Sequence, residues 1–393
     1  MNKNRNLFII VLIALVNMLG YGIVIPILYA YSKKFGMSDF QNGLLFSIYS
    51  VCQFISTPVI GRLSDRYGRR PMLLISIIGT AVSFFTMAFA PSAAFLFIAR
   101  AVDGLTAGNI PVAFAVISDS TKPDERAKSF GYIWAALNFG FVFGPAIAAF
   151  TVGLGLSLPF MIAGIITVVA VILTALYLPE TNKHMSEVEH KRLFDLTRLW
   201  HTLFDPDLGE VFVITFVFFL AFSCALIYGF QPFTMKILKV SQTENAILFT
   251  IFGAIGLFSQ TFLVGRVSET FGLKKAFSIS ILLTAIAMIV MFFSKTVTLF
   301  VFGMIILGLF NNIVQTLIPT ILSQETDDRS QGSIMGVNAS YQSIGMIVGP
   351  ILGGAVATIA IPLPFIVGAA LTIVCFFISF KVLRPGLKKE SAF

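Results

Sequence analysis

Two stretches of the chain, 205 residues apart, spell nearly the same thing. Residues 140–149 read Gly-Phe-Val-Phe-Gly-Pro-Ala-Ile-Ala-Ala, and residues 345–354 read Gly-Met-Ile-Val-Gly-Pro-Ile-Leu-Gly-Gly. Upstream, Gly131 and Gly336 keep the same offset, and Gly61 and Gly265 miss it by one. So long an echo implies two fused copies of one multi-element unit. The medium of that unit follows from composition: 57% of the 393 residues are apolar and 12% charged. A soluble surface needs roughly a quarter of residues charged. The chain is therefore expected to be embedded in a membrane.

A helix needs about 20 mainly apolar residues to cross the hydrocarbon core. On that measure spans fall near 7–29, 43–62, 72–90, 94–118, 129–152 and 157–178, then near 210–232, 244–265, 275–294, 297–322, 333–357 and 362–382. The expected fold is all-α and integral to the membrane, with 12 transmembrane helices in two six-helix bundles related by pseudo-two-fold symmetry. The domain boundaries expected are 1–178 for the first bundle, 179–209 for a linker and 210–393 for the second. The first span is too long and too poorly flanked for a cleaved signal peptide.

Orientation follows from Lys and Arg in the loops. With both termini in the cytoplasm, 21 of the 27 basic residues lie on that side, and Lys33, Lys34, Lys236, Lys239 and Lys295 lie outside. Arg100 is left within the fourth span. The net charge of +8 is thereby spent on inner loops, and no nucleic-acid partner is expected. The linker carries Ser186 and Glu189 as a capping box. After it, Leu193, Leu196, Leu199, Trp200 and Leu203 recur at helical spacing beside Lys191, Arg192 and Arg198. This pattern predicts an amphipathic helix at the inner membrane surface, the plainer alternative being an unstructured tether.

Between spans two and three stands Gly61-Arg62-Leu63-Ser64-Asp65-Arg66-Tyr67-Gly68-Arg69-Arg70, with a worn copy from Gly265 to Lys275. The pattern G-x-x-x-D-R-x-G-R-R in such a loop resembles the signature of the major facilitator superfamily. A carboxylate at Asp65 suits a helix N-terminus or an arginine partner. With Arg66, Gly68 and Arg69 it is expected to form a cytoplasmic gate that breaks during transport. The resemblance extends that role to Glu125 and Arg126 in the fourth-to-fifth loop, which Asp327-Asp328-Arg329 echoes. A plain basic loop obeying the charge rule is the competing explanation, strongest for Arg62 and Arg70.

In span five, Gly140, Gly144 and Ala148 share one helix face, and Gly345, Gly349 and Gly353 do so in span eleven. Small residues so spaced let helices approach closely, and Pro145 and Pro350 each remove a backbone hydrogen bond. The segment is similar to the motif of the superfamily's antiporters, although Ala148 and Ala149 replace its final glycines. Generic tight packing would produce the same pattern without any bearing on transport direction.

Arg100 and Asp103 are charges at membrane depth, three residues apart on one helix face. Ionisable groups there are costly and mark function by default. Arg100 matches an arginine of the superfamily's proton-coupled exporters, while Asp103 departs from their pattern. Burial and the neighbouring cation pull its protonation in opposite directions. If burial wins in one state, Asp103 carries a proton; otherwise the two are a permanent structural pair. Asn17 stands where related tetracycline exporters carry an aspartate, which leaves Asp103 as the coupling candidate.

Polar side chains within spans are expected to face the bundle interior. They include Asn17, Tyr21, Gln53, Asn109 and Asn138 in the first half, and Tyr228, Gln231, Asn311, Asn312, Gln315, Asn338, Tyr341 and Gln342 in the second. Any one alone is as well explained as an interhelical hydrogen bond. Together they describe a mostly apolar, aromatic cavity suited to a lipophilic or amphipathic molecule, and ill suited to a polyanion.

The resemblance as a whole implies a drug:proton antiporter of the tetracycline and multidrug efflux type, working by alternating access in the cell membrane, as a monomer, on small molecules and protons. A proton-coupled transporter of a sugar or amino acid is the alternative. No G-x-x-x-x-G-K-[ST] loop is present and the three histidines all lie at 184–201, so neither an ATP-driven pump nor a metal enzyme is expected, and no cofactor or metal. A non-transporting receptor or scaffold would predict no effect of neutralising Asp103. Cys52, Cys224 and Cys375 all sit in apolar segments, and no disulfide framework is expected.

Overall fold

The computed structural model describes residues 3–182, 196–205, 208–326 and 330–382. Among these residues there is no strand, and 12 helices are long and apolar enough to cross a membrane. We number them α1 (Arg5–Lys33), α2 (Asp39–Tyr67), α3 (Arg69–Ala88), α4 (Ala93–Ser120), α5 (Lys128–Leu154) and α6 (Leu158–Tyr177), followed by α7 (Gly209–Lys236), α8 (Gln242–Phe271), α9 (Leu273–Phe292), α10 (Val297–Gln324), α11 (Gln331–Ala357) and α12 (Leu363–Val382). The six-plus-six hydropathy pattern is thus realised span for span. Large apolar side chains point outward along these helices, among them Phe89, Phe150, Ile165 and Phe377, as lipid-facing surfaces require.

The chain divides into two compact units, residues 1–193 with 231–254, and residues 194–230 with 255–393. The segment at the end of α7 and the first half of α8 therefore packs with the first unit. Within the first unit α5 lies across α1, with Gly140 against the Leu15 carbonyl and Gly144 against Leu19 and Gly22. Within the second, α11 lies across α7, with Gly345 against Phe216 and Leu220, and Gly349 against Leu220, Ser223 and Cys224. The repeated Gly-Pro segments thus build the same backbone-to-backbone crossing twice.

Three spans depart from a plain helix: α4, α7 and α8, the last through a π-helical turn at Ser259–Leu263. The α4 span is two helices, Ala93–Thr106 and Asn109–Ser120, with Ala107 and Gly108 between them. The span expected at 94–118 is present as Ala93–Ser120 but jointed: Gly108 is a poor helix former, and three residues on Pro111 lacks the N–H that would satisfy the Ala107 carbonyl. In α7, residues 223–228 form a π-helical turn. The Gly229 N–H bonds the Cys224 carbonyl at 3.1 Å, and the Ser223 hydroxyl donates to the Gly345 carbonyl of α11 at 2.9 Å.

Of the linker, Leu196–Leu203 is a short helix. The Tyr341 hydroxyl of α11 donates to its Leu199 carbonyl, and Trp200 and Phe204 lie exposed against each other. The predicted capping box at Ser186 and Glu189, Lys191, Arg192 and Leu193 of the predicted amphipathic helix, and the echo at 327–329 fall outside the described residues.

Candidate transport site and gates

The first piece of α4, Ala93–Thr106, carries the two buried charges. Arg100 Nη1 stands 3.5 Å from Asp103 Oδ2, and the residues are 3% and 8% exposed. It is the most deeply buried ion pair among the described residues. On the other side of Arg100, its guanidinium carbon lies 4.2 Å from the centre of the Tyr49 ring of α2, an attraction that strengthens where water is excluded. Tyr21 of α1 faces the same Tyr49 ring at 6.2 Å, and Gln53 Nε2 donates to the Tyr49 hydroxyl at 3.2 Å. Tyr49 is the keystone that sequence reasoning missed. A tyrosine in an apolar span reads as ordinary core, and only its position one turn before Gln53 hinted otherwise.

Asn17 and Asn109, widely separated in the chain, join directly: Asn17 Nδ2 donates to Asn109 Oδ1 at 3.2 Å. Asn109 opens the second piece of α4, just past the break. So the predicted polar residues of the first half form two linked groups, with Asn138 half-buried apart from them on α5. In the second unit the polar set is dispersed. Asn338 accepts from the Thr215 hydroxyl at 3.0 Å, and Asn312 donates to the Gly308 carbonyl one turn back. Gln315 and Gln342 are half-buried, and Tyr228 is fully buried.

Gln231 is fully enclosed and donates to the Ile25 carbonyl of α1. Beside it Asn245 donates to the Pro26 carbonyl at 2.9 Å. Near these bonds, Asp39 receives three groups: the Tyr29 hydroxyl at 2.6 Å, Lys33 at 2.9 Å and Lys236 at 3.1 Å. This knot ties segment 231–254 to α1 and α2. None of its ionic members was singled out from sequence, because loop lysines look alike until their partner is known.

At the opposite end of the first unit, the segment 61–70, expected as a loop, is helical except for Gly68, since α2 runs to Tyr67 and α3 starts at Arg69; Arg69 braces this tight turn. Its guanidinium meets Asp65 at 2.5 Å and Asp119, near the end of α4, at 3.2 Å. It also donates to the Ser64 hydroxyl at 2.7 Å. The helix N-terminus expected to attract Asp65 is taken by Glu180, whose carboxylate accepts from the Arg69 and Arg70 backbone at 2.9 and 3.1 Å. Gly68 turns there with φ +102°, which favours glycine, and a Cβ on it would displace the Glu180 carboxylate from its place. Arg66 lies over the Tyr67 ring. Arg126 donates to the Ser118 carbonyl at 3.0 Å, and the Glu125 carbonyl accepts from Ser129. The second unit repeats the scheme more simply, with Lys274 against Glu325 at 2.9 Å.

A buried, cross-braced charge pair in a duplicated helical unit is the construction of a membrane carrier, and sequence comparison agrees. The Major Facilitator Superfamily model matches residues 10–230 and 211–393; the chain belongs to this superfamily and is a multi-pass membrane transporter. It is 30% identical over 392 residues to multidrug resistance protein 1 of Bacillus subtilis, covering 94% of this chain and 96% of that protein. It is 28% identical over 387 residues to the class C tetracycline resistance protein of Escherichia coli, covering 95% and 96%. Among solved structures, the nucleoside transporter NupG superposes with a TM-score of 0.81 at 13% identity, covering 98% of this chain and 100% of that one.

Proposed function

We propose that the protein exports lipophilic or amphipathic small molecules, drugs among them, across the cell membrane in exchange for protons. It works as a monomer with both termini in the cytoplasm. The observation that carries this reading is the Arg100–Asp103 pair: a carboxylate at membrane depth, held by one cation and nearly sealed from water. Relatives named for drug and tetracycline resistance along almost the full chain support the substrate class.

In this reading Asp103 takes a proton when its face of the site opens outward. Neutralised, it releases Arg100, which stays attracted to the Tyr49 ring. Substrate leaves in the protonated state, and the proton departs inward as Arg100 re-engages the carboxylate. The knot around Asp39 closes the outer end while the turn held by Arg69, Asp65 and Asp119 is broken, and the two alternate. Each proton moving down a 100 mV potential supplies about 2.3 kcal/mol, enough for a gradient of more than tenfold in a neutral substrate.

The test is export by the purified protein in liposomes under an imposed pH gradient. Ethidium and tetracycline serve as substrates, and a sugar and an amino acid as controls. Gradient-dependent movement of the dyes, lost in Asp103→Asn, is expected. Movement of only the sugar or amino acid would overturn the substrate class, and full dye export by Asp103→Asn would overturn the coupling.

A further inference from the structure

The second unit contains a version of the charge site with the charges removed. Helices α3 and α9 are the same length, 20 residues, and begin 204 residues apart; α4 and α10 begin at the same offset. At that register Ser76 and Thr80 recur as Ser280 and Thr284. Arg100 and Asp103, by contrast, correspond to Met304 and Leu307, both fully enclosed. One hydroxyl disappears along with the charges: Ser83 corresponds to Ala287.

Antiparallel packing places these hydroxyls beside the charges. Ser76 donates to the Thr106 carbonyl, and Thr80 lies one turn on, its hydroxyl buried and without a hydrogen-bond partner among the described residues. From the Ser76–Thr106 bond, helix geometry at 3.6 residues per turn sets Ser83, seven residues on along α3, at about the height of Arg100, six residues back along α4. Ser83 is 0% exposed, and neither its hydroxyl nor Arg100 Nε has a hydrogen-bond partner among the described residues. Buried polar atoms are almost always satisfied, and a buried water commonly meets such a pair of needs. Thr80, Tyr21 of α1 and Tyr49 of α2 face the ion pair from the other helices.

We propose that Ser83 is a positioning residue for the ion pair. Its hydroxyl and Arg100 Nε share one buried water, which holds the guanidinium over Tyr49 and at arm's length from Asp103. This rests on the proton-exchange reading of Asp103. Without that tether Arg100 closes on the carboxylate and holds it in its charged form.

The experiment is the pH profile of ethidium export by Ser83→Ala in liposomes, beside Ser83→Thr, Ser280→Ala and Asp103→Asn. Ala287 shows that alanine fits at this register, so Ser83→Ala should fold. Its midpoint is expected to move to lower pH by about half a unit, with Ser83→Thr and Ser280→Ala keeping the parent profile. Should Ser83→Ala fail to fold, Ser83→Cys keeps the volume with a far weaker donor and is expected to show the same shift. An unmoved midpoint in the folded variant, with Asp103→Asn inactive, overturns the positioning role and leaves the proposed function standing. Gradient-driven export by Asp103→Asn overturns both.

Discussion

Glu180 follows Arg69 by 111 residues, yet its carboxylate accepts the Arg69 backbone N–H at 2.9 Å and so caps the first turn of α3 from just past the end of α6. The orphan donors at a helix start are usually met by a residue just before it. Here Gly68 precedes the helix and has no side chain to offer.

The cap is open to a direct test. Glu180→Ala is expected to destabilise the protein by about 1 kcal/mol, the ordinary cost of a lost N-cap. Thermal unfolding in detergent reads this, and Glu180→Gln, which keeps an acceptor oxygen, should recover part of it.

The α1–α5 crossing admits no side chain at Gly144, where an added Cβ would stand 2.6 Å from the Leu19 carbonyl and 2.8 Å from Gly22 Cα. Backbone cannot yield as a rotamer can. Gly144→Val should therefore cost about 3 kcal/mol or more and sharply lower the yield of monodisperse protein. Gly131→Ala, with nothing within 4 Å, should leave both unchanged.

Asp39 serves Lys33 and Lys236 together, so exchanging charges with one of them cannot restore the knot. Asp39→Lys combined with Lys236→Asp is expected to remain impaired in transport, because Lys33 then faces a new cation. Adding Lys33→Asp should recover activity. Dye export in liposomes distinguishes these outcomes.

Gln231 spends its amide on the Ile25 carbonyl inside closed packing. Gln231→Met is expected to lower thermal stability by about 1–3 kcal/mol. The apparent substrate affinity measured by ethidium titration should stay the same for the fraction that remains folded.

Tyr49 offers Arg100 a ring face rather than a charge. Tyr49→Phe keeps the face and loses only the bond from Gln53, so near-parental transport is expected. Tyr49→Leu removes an interaction worth about 2 kcal/mol when desolvated, and proton-driven export should fall by roughly tenfold or more.

The spans were legible because each sums the hydropathy of some twenty residues, which no single substitution disturbs. The Gly-Pro crossings were legible because close approach admits few residue types. Arg100 and Asp103 stood out because charge at membrane depth is rare. What escaped were relationships with no local trace. Glu180 finds its helix 111 residues back, Asp119 meets Arg69 across 50, and Tyr49 gains its role only from the cation above it. The break in α4 did leave a trace, in Gly108 and Pro111, but the apolar residues around them masked it.

That break makes α4 a jointed rod instead of a girder. The first piece is moored by Arg100 to Tyr49 and the second by Asp119 to Arg69, with Ala107 and Gly108 as the knuckle. An unbroken cylinder relays every tilt to its far tip. A knuckled one absorbs it, so the buried charges on the first piece are able to shift without prying at the clasp on the second.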